Sequence, residues 1–163
     1  MVSIKNIHTL LAENPFFDGM SEEHLETMAG CGRLAHFKPG EFLLREGDAA
    51  DTFYLIRSGD VAIESDVPAA GPLSVARIGA GGITGYSWLF PPHSNSFDSL
   101  ALTDVSAIAL NGECLRGKAE ADHELGYQLM KRFAQVMLDR LQATRRQMLD
   151  VYANGRPADA ASG

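Results

Sequence analysis

The chain has 163 residues, 45% of them apolar, with a formal net charge of -7. This length suits one domain with one core, and the apolar fraction excludes disorder throughout. The acidic balance, with a pI of about 5.1, excludes a broad nucleic-acid footprint, which needs a basic face to displace counterions.

The opening Met1-Val2-Ser3-Ile4-Lys5 lacks the apolar core of a signal peptide, and no apolar run approaches the roughly 20 residues that span a bilayer. A cytoplasmic location with no membrane contact is the expectation. Cys31 and Cys114 are the only cysteines, and they do not form a Cys-x-x-Cys pair. The pattern predicts two free thiols and no metal site.

Along the chain, Ile4, Ile7, Leu10 and Leu11 fall at helical spacing. Asn14-Pro15 ends that helix, because the residue before proline avoids the helical region. Ser21 caps a second short helix holding Leu25 and Met28, and Gly30 and Gly32 close it. From Leu34 to Leu110, short apolar runs alternate with glycine-bearing turns. The runs are 36–38, 42–44, 53–57, 61–64, 73–78, 99–102 and 105–110. Such spacing predicts a barrel or jelly roll. Phe53, Leu55, Val61 and Ile63 alternate as in a half-buried hairpin around Gly59.

After Asn111 the pattern is helical again. From Ala121 to Tyr152 there is no proline, and Gly126 is the only glycine. Leu125, Leu129, Phe133 and Val136 form one stripe. Met130, Ala134, Met137, Leu141, Thr144, Met148 and Val151 form a second, with the alternating four- and three-residue steps of a heptad seam. The expectation is that one stripe packs on the barrel while the other meets a second copy of the helix in a homodimer. A single broad buried face in a monomer is the alternative. The small polar tail is expected to be disordered.

The stretch from Phe37 to Val61 (FKPGEFLLREGDAADTFYLIRSGDV) resembles the front half of a cyclic-nucleotide-binding domain, with Gly40, Gly47 and Gly59 at its turns. Asn14-Pro15-Phe16-Phe17 is similar to the entry segment of that family. The closest pattern is that of bacterial regulators of the catabolite activator and fumarate–nitrate regulator type. The resemblance implies a mainly β fold with flanking helices: an eight-stranded jelly-roll barrel with short N-terminal helices and a long C-terminal helix. It also implies a layout of 1–32 N-terminal helical segment, 33–111 barrel, 112–153 C-terminal helices and 154–163 tail. Those regulators continue into a helix-turn-helix. Here too few residues follow Tyr152 for such a module, so a sensor domain that does not itself read DNA is expected.

In the family, a Gly-Glu pair and a later Arg followed by a small residue hold the ribose and cyclic phosphate. Gly85 matches the cassette glycine, but Tyr86 stands in place of Glu. The expected Arg falls on Asn95, followed by Ser96, and no arginine lies between Arg77 and Arg116. Losing both contacts implies affinity weakened by about 3–6 kcal/mol, or about 2–4 decades. Arg140–Arg146 resembles the helix stretch that carries a base-contacting Thr-Ser pair; Thr144 matches the threonine and Arg145 replaces the serine. Arg140, Arg145 and Arg146 are candidates to restore the missing charge. Trp88, Phe90 and Phe97 either line the pocket or fill it.

No nucleophile elbow, P-loop or paired-histidine motif occurs, so no catalytic residue is expected. The reading is a regulatory ligand-sensing domain without a resident cofactor. Its ligand would be a cyclic nucleotide or a related molecule, held by Gly85, Tyr86, Ser87, Asn95, Ser96, Thr144 and Arg145. The alternative is a degenerate domain that acts as a dimerisation and protein-interaction module.

Overall fold

The computed structural model describes residues 4–154. Helix α1 (Ile4–Ala12) runs into a single 3-10 turn at Pro15–Phe17, capped by the Asn14 side chain accepting from the Phe16 N–H. Helix α2 (Glu22–Ala29) follows, with the Ser21 hydroxyl accepting from the His24 N–H. Eight strands then form two antiparallel four-stranded sheets. They are β1 (Gly32–Phe37), β2 (Phe42–Leu44), β3 (Thr52–Ser58), β4 (Val61–Val67), β5 (Gly71–Ile78), β6 (Ile83–Thr84), β7 (Asp98–Ala101) and β8 (Val105–Asn111). One sheet has the order β1-β8-β3-β6 and the other β2-β7-β4-β5, the two layers of a jelly roll. Helix α3 (Gly112–Ala121) and the long α4 (His123–Asn154) complete the described chain.

Most strands lie where the apolar runs predict. The exception is β6, whose two residues sit in a glycine-rich stretch too short to show a period. Gly32 opens β1 rather than closing the second helix, pairing opposite Leu110. The hairpin also departs from the half-buried expectation. Phe53, Tyr54, Leu55 and Ile56 are all buried, because β3 lies between two cores. Phe53 and Leu55 join α1, α2 and α4 in the helical core, while Tyr54 and Ile56 meet Val61 and Ile63 inside the barrel. Burial in the barrel raises the Tyr54 phenol above its ordinary value.

The predicted free thiols are not found. Cys31 and Cys114 are joined in a disulfide, their Cα atoms 5.8 Å apart. Nothing in their separation of 83 residues signals this. They meet because β1 pairs with β8, which brings the end of α2 beside the start of α3.

The C-terminal helix is interrupted at Asp122, whose carboxylate accepts from the Glu124 and Leu125 N–H groups and starts α4. The two stripes of α4 separate as expected. Leu125, Leu129 and Phe133 are buried. Leu141 is 56% exposed, Met148 53% and Val151 71%, so a single broad buried face is overturned. Apart from Asn154, the tail lies outside the described residues.

Candidate functional site

The cassette connects β6 to β7. Gly85 begins it at φ +96°, and a Cβ there would lie 3.0 Å from Leu44 Cδ1 and 3.1 Å from the Thr52 carbonyl. Both the left-handed backbone and the close approach of β2 and β3 require glycine. Tyr86 follows, then one 3-10 turn, Ser87–Leu89. Behind it, Thr84 and Ser99 share a buried hydrogen bond of 2.5 Å that ties β6 to β7.

Trp88 neither lines nor fills a ligand pocket. It is almost wholly buried in the helical core, stacked on Phe53 at 5.4 Å and edge-on to Phe133 at 5.6 Å. Phe90 is 40% exposed. Phe97 packs on the barrel interior and meets the Tyr86 ring edge-on at 5.7 Å.

Asn95, at the expected arginine position, is buried. Its Nδ2 donates to the Arg45 carbonyl at 3.1 Å. Its backbone N–H donates to Asp48 and its carbonyl accepts from Gly47. These bonds clamp the β2–β3 turn to the cassette. Ser87 and Ser96 face each other at 3.5 Å between hydroxyls. Gly85, Tyr86, Ser87, Asn95 and Ser96 are thus gathered in one cassette.

Of the candidate arginines on the helix, Arg140 turns toward the cassette and Arg145 does not. Arg145 is exposed and does not line the groove between cassette and α4. Thr144 does line it, together with Tyr86, Leu89, Met137 and Leu141. Arg140, one turn before Thr144, reaches inward. Its Nη2 donates to the Ile83 carbonyl on β6, and its guanidinium carbon lies 5.6 Å from the centre of the Tyr86 ring. Its Nη1 is buried and has no hydrogen-bond partner among the described residues. Desolvation by burial lowers the pKa of the Arg140 guanidinium, while Tyr86 works in the opposite direction. The charge run at 140–146 signals cations here, but only packing distinguishes the inward one from its exposed neighbours. A second arginine, Arg45, sits on the outer rim over the Phe42 ring and 3.6 Å from Asp98.

Comparison with known proteins places this geometry in a family. The Cyclic nucleotide-binding domain model matches residues 34–122, just over half of the chain. Over 152 residues, 93% of the chain, the sequence is 23% identical to the CRP-like cAMP-activated global transcriptional regulator of Mycobacterium tuberculosis. The chain spans 66% of that regulator's length. A solved structure from Geobacter metallireducens, assigned as a cyclic nucleotide-binding protein, is 26% identical with a TM-score of 0.74. The match covers 86% of this chain and 99% of that one. A cyclic nucleotide-binding domain from Methylobacillus flagellatus has the same fold, with a TM-score of 0.76 at 22% identity over 90% of this chain and 83% of that one. The eight-stranded jelly roll, its cassette and its long final helix are those of a member of the cyclic nucleotide-binding domain family.

Proposed function

We propose that the chain is a regulatory sensor of a cyclic nucleotide or a related anionic ligand, without catalytic activity, in which Arg140 takes over the cationic role absent from the cassette. The observation carrying this reading is the inward Arg140, with one nitrogen on the β6 backbone and the other buried with no partner among the described residues. An anion between the cassette and α4 would satisfy Nη1 with a charge-assisted bond. It would also tie α4 to β6. Because α4 carries the exposed seam, ligand occupancy would bias how that seam meets a second copy. In this reading the output passes through the α4 seam to a second copy or to a protein partner.

Calorimetric titration with cyclic AMP and cyclic GMP at low salt tests the reading. Wild-type protein is expected to bind weakly, and Arg140→Gln to lose at least about tenfold more, the loss of one hydrogen bond to a charged group. Absence of heat at millimolar ligand with wild type, together with no thermal shift, refutes it. The second reading, a degenerate interaction module, is favoured by the engaged Asn95 amide and the Tyr86–Phe97 contact. It predicts that no nucleotide binds and that self-association survives Arg140→Gln.

A further inference from the structure

We propose that Cys31 and Cys114 form a reversible dithiol–disulfide site that sets how firmly the cassette is held by the helical layer. Cys114 lies in the first turn of α3, its N–H donating to the Asn111 side chain at 2.8 Å. The residues on either side of it grip the cassette. The backbone of Gly112 passes so close to Trp88 that an added Cβ would lie 2.8 Å from the tryptophan Cβ. Two residues beyond Cys114, Arg116 Nη1 donates to the Trp88 carbonyl at 2.6 Å. Cys31 is fixed on the opposite side, between α2 and β1, where its carbonyl accepts from the Asn111 N–H at 2.9 Å. The disulfide therefore connects the α2–β1 junction to the turn of α3 that holds Trp88.

Cys114 is the more accessible cysteine, since Cys31 is buried in the helical core. Cys31 and Cys114 line a surface groove with Arg33, Asp51, Thr52 and Asn111, and Cys114 is only half buried. In thiol–disulfide exchange the thiolate is the attacking species, and access to the sulfur decides which cysteine reacts first. Closure proceeds by exchange with a low-molecular-weight disulfide such as oxidised glutathione. The Cys114 thiolate attacks one sulfur of that disulfide, forming a mixed disulfide and releasing one glutathione thiolate. The Cys31 thiolate then attacks Cys114, and the second glutathione leaves. Two cysteine thiols are oxidised and one glutathione disulfide is reduced to two thiols. Reduction runs the same steps backwards.

Trp88 is the only tryptophan of the chain, so its emission reads the cassette directly. The experiment poises the whole protein in glutathione buffers of graded oxidation. It counts free thiols by maleimide mass labelling and follows Trp88 emission maximum and acrylamide quenching. The expected result is that both optical readouts change with the thiol count at one midpoint and recover on reoxidation. The thermal midpoint should also fall by about 10 °C on reduction, the effect of opening a loop this long. Cys114→Ser is expected to resemble the reduced protein in every buffer. Should that variant fail to fold, the wild-type titration decides alone. Complete reduction with Trp88 emission and quenching unmoved overturns the proposal. So does the persistence of two free thiols in the most oxidising buffer. Neither readout needs the nucleotide, so failure here is distinct from failure of the sensor reading.

Discussion

Arg140 and Trp88 show how far residue chemistry alone can be misread. Trp88, within a cassette-like motif, is a natural candidate for a ligand contact, yet it joins the cassette to Phe53 of β3 and Phe133 of α4. Trp88→Ala is expected to destabilise the fold by about 3–5 kcal/mol in urea unfolding, as for other large core aromatics. Phe90→Ala, at the exposed end of the same segment, should change stability by about 0.5 kcal/mol or less. Equal losses for the two would refute this assignment. The cassette glycine was legible through the family resemblance, and the left-handed turn at Gly85 gives the physical reason for glycine there. The inward arginine was not legible. Arg140, Arg145 and Arg146 lie within two helical turns, and a single side-chain direction separates a buried cation from a solvated one.

At the scale of elements, α2 and α3 are clamped at both ends. The disulfide holds one end, and at the other His24 Nε2 donates to the Asp122 carboxylate at 3.2 Å. Hydrogen bonding from the Leu125 N–H, then His24 and the Glu124 N–H, holds the Asp122 carboxyl below its usual range against a smaller desolvation effect. A carboxyl lowered on folding stabilises the native state above its unfolded pKa, and that contribution is lost as pH falls through the folded value. Asp122→Asn should therefore be less stable than wild type at neutral pH, with the difference shrinking on acidification below the ordinary carboxylate range. Chemical denaturation at a series of pH values measures this, and a difference constant with pH would contradict it. The sequence places the long helix from Ala121, within two residues of where α4 begins at His123. The capping role of Asp122 appears only where the carboxylate meets the N–H groups of α4.

At the scale of the whole molecule, α4 turns one apolar face to the core and another to the surface. Leu125, Leu129 and Phe133 complete the helical core, while Met130, Leu141, Met148 and Val151 remain at the surface. A helix of 32 residues leaves this seam exposed, and the proposed sensor would cover it with a second copy. Leu141→Asp, exposed in the monomer, should leave the fold intact and convert a dimer to monomer in sedimentation or light scattering. An unchanged mass would refute the seam. Short strands, glycine turns and two helical stripes were determined by the sequence alone, because backbone periodicity and turn conformation are local properties of residue type. Only the tertiary structure decided that β3 is buried on both faces, that Cys31 meets Cys114, and that Arg140 rather than Arg145 approaches the cassette. Each of these depends on which distant segments the jelly roll brings together, and pairing between segments as far apart as β1 and β8 leaves no periodic trace in either one.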